Sequence, residues 1–200
     1  MGDIADQIND AVEKARESRL NTIVATMVAL TATFTALCNV KDGNVVQAMQ
    51  VAQSSSVDTW AYYQAKSTKQ HIAEQMVDQL TIQRDIDGAG LSAEARALYE
   101  KKITEYTAKA KQYETEKGEI KGKAEGYQKE YDALNVHDDQ FDIAEASMSI
   151  SIALFGVTAL TQKRWLLAVG ALFALFGAAL GVAGFMRLNL HPDFLARLLG

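Results

Sequence analysis

Five side chains that could bind a cation lie together where the second long apolar stretch of the sequence begins. They are His137, Asp138, Asp139, Asp142 and Glu145. Asp142 and Glu145 have the spacing that places two residues on one face of a helix. Carboxylates and imidazole can hold a metal ion, and a ring of carboxylates from several subunits attracts cations to a pore mouth. The simpler alternative is that these groups lie solvated at the level of the lipid headgroups.

A second acidic group surrounds a glycine in the middle of the chain. Asp85, Asp87 and Glu94 align with oxygen-ligand positions of an EF-hand calcium loop, and Gly88 aligns with its glycine. Gln83, however, occupies the position where such a loop begins with an aspartate. Because an incomplete set of oxygen ligands binds calcium poorly, an acidic solvated turn is the preferred interpretation, and a weak calcium loop is the alternative.

Aromatic and basic residues form a third candidate site, a partner-binding patch. They are Trp60, Tyr62, Tyr63, Lys66 and Lys69. Rings and ammonium groups in one patch can hold a partner through apolar and cation–π contacts. The simpler interpretation is that Trp60 and one tyrosine pack between helices while the other tyrosine faces outward.

The composition argues against several classes of function. The single cysteine allows neither an intrachain disulfide nor a redox pair, and no nucleophile stands beside a base. The sequence also lacks a Walker-type phosphate loop. The formal net charge of -5 gives no general electrostatic reason to bind nucleic acid. We therefore expect no enzymatic activity, no cofactor and no nucleic-acid partner.

Three apolar stretches determine where the candidate side chains lie. Residues 20–40 contain no acidic or basic side chain, and as a helix they extend ~31 Å, close to the hydrocarbon thickness of a bilayer. Residues 165–186 are also uncharged, and in residues 141–161 only Glu145 enters the apolar part. Helices that are apolar on all sides need lipid or a large protein core, and the remaining chain is too polar to supply that core. We therefore predict three transmembrane helices in contact with membrane lipid.

Residues 41–140 are charged and predict a long helical hairpin outside the membrane, between the first two spans. Residues of its second helix recur at spacings of four and three, as in a coiled-coil seam with one lysine among its members. They are Tyr99, Ile103, Tyr106, Ala110, Tyr113, Lys117, Ile120, Ala124, Tyr127, Tyr131 and Leu134. Ser92 can cap this helix, which we expect to end near Asn135, and residues 85–90 supply the turn before it.

The first helix of the hairpin carries a less regular apolar stripe. It consists of Met49, Trp60, Tyr63, Ile72, Met76 and Leu80. Gly118, Gly122 and Gly126 share one face of the second helix, where the missing side chains would permit close backbone contact. We expect these glycines to allow close helix packing rather than to form a hinge.

Small residues and the flanking segments indicate further contacts. The first span has a small-residue face of Ala25, Ala29, Ala32 and Ala36, and the third has Gly177 with Gly181. Such faces permit close helix contact in lipid, within or between subunits. The segments 1–19 and 187–200 have apolar residues on one side, so we expect an amphipathic N-terminal segment and an interfacial C-terminal tail.

The distribution of basic residues predicts an orientation. Lys14, Arg16 and Arg19 precede the first span, and Lys163 and Arg164 lie between the second and third. Three spans place both groups on the same side, which the positive-inside rule makes cytoplasmic. The N-terminus is then cytoplasmic, and the hairpin lies on the opposite side of the membrane.

The sequence resembles a bacterial family through a fairly specific motif. The motif runs from Trp60 through Ala61, Tyr62, Tyr63, Gln64, Ala65 and Lys66 to Ser67, followed by Lys69 and His71. His137, Phe141, the span from Ser149 to Leu160 and the turn Lys163, Arg164, Trp165 agree with it. The family is the domain of unknown function 4337. The resemblance implies a small multi-pass membrane protein and supplies no activity or catalytic residues.

The sequence therefore predicts an all-α fold with three transmembrane helices and a long, coiled-coil-like extramembrane hairpin between spans one and two. The leading hypothesis is a non-enzymatic, homo-oligomeric membrane protein whose projecting stalk acts as a scaffold or binds an envelope protein. A channel or transport component with an acidic pore mouth is one alternative. A calcium-responsive membrane sensor is the other.

Overall fold

The computed structural model describes the backbone of residues 2–188 and 190, and the side chains of residues 9, 10, 12–188 and 190. Helix α1 spans Gly2–Asp87, a 3₁₀ turn spans Gly88–Gly90, α2 spans Ala93–Thr161 and α3 spans Arg164–Phe185. The described residues form no strand, so this part of the chain is all-α. Of the apolar residues expected on one side of segment 1–19, Val12 and Ala15 are exposed, and Ile4, Ile8 and Ala11 lie outside the described side chains, as does most of segment 187–200.

Contacts divide the described chain into two units. The bundle unit contains the residues up to Met49 together with those from Asp132 onward, and the hairpin unit contains Gln50–Tyr131. Three helices are long and apolar enough to cross a membrane, and these stretches belong to α1, α2 and α3.

The helices continue through the predicted borders between membrane and hairpin. Helix α1 passes through Gly43, and α2 passes through residues 140 and 141, without interruption. The expected helix end near Asn135 is therefore wrong. The physical reason is that the single proline of the chain is Pro192, so nothing in α1 or α2 removes a backbone donor, and a helix satisfies its own hydrogen bonds in water and in lipid alike.

The bundle unit is held together by close approach of α3 to the other two helices. A Cβ placed on Gly177 would lie 2.8 Å from the backbone oxygen of Ala144 in α2. A Cβ on Gly181 would lie 2.9 Å from Sγ of Cys38 in α1. The small-residue pair predicted in the third span therefore packs within the chain, because only hydrogen atoms fit at these positions.

The end of α3 is fixed by a glutamine of α2. Gln140 is fully buried, and its Nε2 donates to the backbone oxygens of Leu188 and Leu190 at 2.7 Å and 2.6 Å. Arg187 adopts a left-handed backbone conformation with a φ of 53°, and the amide of Leu188 donates back to the oxygen of Ala183. The bond from the Leu188 amide satisfies a carbonyl group that the helix end would leave unpaired, and the bonds from Gln140 hold the residues after α3 to α2.

The hairpin unit consists of two antiparallel helical segments. Arg84 pairs with Glu100 near the turn, and Lys66 pairs with Glu116 further from it. The backbone amide of Ala95 donates to Oγ of Ser92 at 3.2 Å, so Ser92 caps α2 as predicted.

Burial along the second hairpin helix agrees with the predicted seam at ten of its eleven positions. Ile120 and Ala124 are buried, eight others are partly buried, and Tyr127 is 37% exposed. In α1 the expected seam residue Ile72 is 54% exposed, and its neighbour Ala73 is buried instead. Hydrophobicity alone predicts that the larger side chain, Ile72, is buried, but the smaller side chain of Ala73 lies between the helices instead.

The glycines of the second hairpin helix do not pack as expected. A Cβ added to Gly118, Gly122 or Gly126 would meet no atom within 4 Å. The expectation of close helix contact at these glycines is therefore wrong for the described part of the chain.

The difference between the two sets of glycines gives a test. Gly177→Ala should lower the free energy of unfolding of the detergent-solubilised protein by about 1–3 kcal/mol, because the added methyl group meets the backbone of α2. The melting temperature should fall accordingly. Gly122→Ala is the matched control and should leave stability unchanged or raise it by about 0.5–1 kcal/mol, since alanine favours a helix where space is open. Equal effects on the melting temperatures of the two variants would contradict this account of the bundle.

Candidate functional site

The acidic candidate site gains a member from α1 that the sequence did not suggest. Asp42 lies near Asp138, Asp142 and Glu145 of α2, and the carboxyl groups of Asp42 and Asp138 are hydrogen-bonded to each other. Two carboxyl groups can share a hydrogen bond only if one of them carries the proton. Asp42 lies two residues after the first apolar stretch, and Asp138 lies three residues before the second. This symmetry about two antiparallel spans is the signal that could have identified the pair.

The surroundings of the pair disfavour negative charge. Burial, with the charges of Asp138 and Asp142 next in size, raises the pKa of Asp42 from 3.8 to about 6. Burial also raises the pKa of Asp138, with the Asp142 carboxylate as the second cause. Oδ1 of Asp42 is itself buried and accepts no hydrogen bond in the described structure. The arrangement is therefore suited to holding and releasing a proton in mildly acidic conditions.

The two other members of the predicted acidic site make different contacts. Nδ1 of His137 lies 3.2 Å from Oε1 of Gln140, to which it can donate. Oδ2 of Asp139 accepts a hydrogen bond from the Asn135 side chain at 3.3 Å. Among the described residues, no group of three or more histidine, cysteine, aspartate or glutamate side chains is placed to hold a metal ion.

The residues of the predicted calcium loop do not converge on one point. Asp85 and Asp87 belong to the last turn of α1, where Asp85 accepts from Arg84 and Asp87 accepts from the Tyr99 hydroxyl at 3.4 Å. Glu94 lies in the first turn of α2. A calcium ion needs six to eight oxygen ligands around one centre, and helical geometry directs these carboxylates apart.

The aromatic and basic patch divides into an interior part and an exposed part. Trp60 and Tyr63 make an edge-to-face contact with ring centroids 5.4 Å apart, and Tyr62 is 52% exposed. Nζ of Lys66 lies between the rings of Tyr62 and Tyr113, at 5.5 Å and 5.3 Å from their centroids. Lys66 also forms an ion pair with Glu116, which links the two helices of the hairpin unit.

Tyr62 and Lys69, the exposed part of the patch, lie along α1 with the exposed Ile72. Nearer the turn, α2 exposes Leu98 and Lys102, and we call the surface around these two residues the hairpin face. A depression of about 330 Å³ on this face is lined from α1 by Leu80 and Gln83 and from α2 by Ala95, Leu98, Tyr99 and Lys102. Ile72 and Leu98 are more than half exposed. Apolar side chains beside ammonium groups are typical of a surface that binds another protein.

Two lines of small residues run along the outside of the bundle unit. On α1 they are Ala25, Ala29, Ala32 and Ala36, and on α2 they are Ala146, Ser149, Ala153 and Gly156. All eight are exposed. Together they are called the small-residue groove. On α3 the exposed alanines, Ala168 and Ala179, lie among large exposed residues such as Leu172, Leu175 and Phe176.

Cross-contacts show that both lines border the same pair of helices. The Thr35 hydroxyl donates to Sδ of Met148 at 3.4 Å, and Gln162 donates to Asn21 at 3.0 Å. Ala36 and Ser149 directly follow Thr35 and Met148 in their helices. Phe34 instead contacts α3 at Gly181, so α3 occupies a different side of α1 from the groove.

Residues 20–187 match the family described as a domain of unknown function, DUF4337. The chain belongs to the DUF4337 family. The matched range takes in all of α3 and the motif around Trp60, in agreement with the resemblance seen in the sequence. No curated protein and no solved structure matches this DUF4337 protein.

The shared proton predicts a pH dependence for this DUF4337 protein. The pKa of Asp42 is higher in the folded state than its ordinary value, so stability should fall as pH rises from 3.8 to about 6. Asp42→Asn should therefore raise the melting temperature above this window and change it little below, because asparagine mimics the protonated acid. The measurement is thermal unfolding in detergent across the pH range.

An exposed carboxylate supplies the control. Asp58→Asn removes one exposed carboxylate from the hairpin unit, and its melting temperature is measured at the same pH values as that of Asp42→Asn. A gain from Asp42→Asn that is larger in acid than at neutral pH would contradict the assignment of the shared proton.

Proposed function

We propose that the protein is a non-enzymatic, homo-oligomeric scaffold of the bacterial inner membrane. Its subunits associate through their spans, and its hairpins project as coiled-coil stalks that bind an envelope protein. The observation that carries this proposal is the small-residue groove, which no other described part of the chain covers.

The energetics of helix contact in lipid support association at this groove. Moving a large apolar side chain from lipid into a helix interface gains little free energy, because lipid acyl chains are as apolar as the side chain itself. Small residues allow a second helix to approach the backbone closely, and the resulting van der Waals contacts drive association. The alanine, serine and glycine side chains on α1 and α2 therefore favour a protein neighbour, and the leucine and phenylalanine side chains on α3 favour lipid.

The hairpin face supports a partner-binding role for the stalk. Leu98 is 60% exposed and offers apolar area, and Lys102 adds positive charge beside it. Tyr62, Lys69 and Ile72 are exposed further along α1 and offer a second surface of the same character. Lys102 also pairs with Glu105 on its own helix, and that exposed pair contributes little to stability. An envelope protein that presents an apolar surface bordered by acidic side chains would complement this face.

The basic residues of the bundle unit support the proposed orientation. Arg16 and Arg19 of α1 line the same depression as Arg164 at the start of α3. The basic residues that precede the first span and those that precede the third span thus lie at the same end of the bundle unit. The positive-inside rule assigns that end to the cytoplasm and the hairpin to the periplasm.

Substitution of two alanines in the groove tests the proposal. Ala32→Phe with Ala153→Phe should reduce the oligomer in mild detergent to monomers, because the rings prevent close backbone approach. Ala179→Phe is the control, since Ala179 is exposed on the same helix as Leu172 and Leu175. Light scattering gives the protein mass of each assembly. A monomeric wild-type protein, or an assembly that both variants leave intact, would contradict the proposal.

A cation channel is a second candidate function, favoured by the position of Asp142. Asp142 is exposed and lies one helical turn before Ala146, so it continues the small-residue line on α2. Subunits that meet along this line would bring several such carboxylates together, as in a cation-attracting ring.

Ion flux distinguishes the channel from the scaffold. The channel predicts cation flux into liposomes that contain the protein, and Glu145→Gln should reduce that flux severalfold by removing a carboxylate at the start of the span. Glu119→Gln, on an exposed position of the hairpin unit, should leave it unchanged. Absence of flux, or equal flux in wild type and Glu145→Gln, would exclude the channel and leave the scaffold standing.

A further inference from the structure

A cavity at one end of the bundle unit combines three arginines with an apolar wall. Its volume is about 640 Å³, and it lies between the start of the span in α1 and the start of α3. It is lined by Arg16, Arg19, Leu20, Ile23, Arg164 and Leu167. Arg16 and Arg19 share a face of α1, since residues three apart in a helix are neighbours.

The three guanidinium groups are available for a ligand. Among the ion pairs of the described residues, none involves Arg16, Arg19 or Arg164. A neighbouring depression of about 420 Å³ shares Arg16 and Arg164 but also includes Glu13 and Glu17. The cavity bordered by Arg19 contains no acidic side chain. An anion would therefore find its most favourable potential on the Arg19 side.

The apolar wall distinguishes a lipid from a free anion. Ile23 is 47% exposed, and Leu167 is partly buried beside it. Both belong to apolar stretches that could cross the membrane. Trp165 follows Arg164 and is also exposed, as is typical of side chains that anchor a span at the membrane surface. The polar end of the cavity thus lies at the headgroup level, and its apolar wall continues toward the acyl chains.

We propose that this cavity binds an anionic phospholipid, with its phosphate on Arg16, Arg19 and Arg164 and an acyl chain along Ile23 and Leu167. Guanidinium groups present parallel N–H donors that match the oxygens of a phosphate. A bound lipid would connect α1 to α3 at the end of the bundle that lacks the Gln140 contact. The site does not depend on association between subunits, so it stands whether or not the proposed oligomer forms.

Lipid binding to the full-length, delipidated protein tests the site. Native mass spectrometry in mild detergent should show phosphatidylglycerol bound more tightly than phosphatidylcholine of the same chain length. Arg16→Gln, Arg19→Gln and Arg164→Gln together should weaken phosphatidylglycerol binding by about 100-fold, because each basic residue near an anionic headgroup contributes roughly a fivefold gain. Unchanged helicity by circular dichroism would show that the triple variant remains folded.

Two further variants test whether binding needs these particular arginines and whether it needs the apolar wall. The first removes basic charge elsewhere in the chain, and the second removes apolar contacts that free phosphate does not make. Lys121→Gln, Lys123→Gln and Lys129→Gln remove the same charge from the hairpin unit and should leave the affinity for phosphatidylglycerol unchanged. Ile23→Ser with Leu167→Ser should weaken phosphatidylglycerol binding and leave the much weaker binding of inorganic phosphate unaltered. Equal binding of both lipids, equal loss in the two triple variants, or inorganic phosphate bound as tightly as phosphatidylglycerol would each overturn the proposal.

Discussion

The glycines of α3 allow its backbone to lie against α1 and α2 more closely than side chains would permit. At Gly177 the neighbour is a backbone oxygen of α2, and at Gly181 it is the sulfur of Cys38. In lipid such contacts matter more than apolar burial, because acyl chains already satisfy an exposed leucine. The position of α3 is thus set by where its glycines fall, and the other contacts of the bundle unit follow from that position.

The position of α3 also determines which surfaces of α1 and α2 remain exposed in the bundle unit. Since α3 packs beside Phe34, the small residues that border Thr35 remain uncovered on α1. At one end of the pair, Asp42 and Asp138 face each other and share a proton. At the other end, the arginines of α1 and α3 surround an acid-free cavity. The packing of α3 therefore determines where the carboxyl pair, the exposed small residues and the arginine cavity lie in the bundle unit.

Sequence patterns predicted the elements that depend on local physics. The spans follow from length and hydropathy, and Ser92 caps α2 because a serine before an acidic first turn has a local hydrogen-bonding role. Asp42 was missed because its partner is distant in sequence, and no local pattern reveals a carboxyl pair. The hairpin glycines were misread because periodicity identifies a shared face without revealing whether that face turns inward or outward. The exchange of Ile72 for Ala73 in the seam has the same origin, since helix separation is a tertiary property.

The central claim is that copies of the chain meet along the small-residue groove while α3 faces lipid. The most direct measurement is double electron–electron resonance on a single spin label at Val40, in a Cys38→Ala background reconstituted in nanodiscs. Val40 is a large residue, 69% exposed, one helical turn beyond Ala36, so the label leaves the small residues of the groove unchanged. The account predicts a resolved, short distance between labels on neighbouring copies, and a longer distance when the label is placed at Ala179. A featureless decay at Val40, or a shorter distance at Ala179 than at Val40, would contradict it.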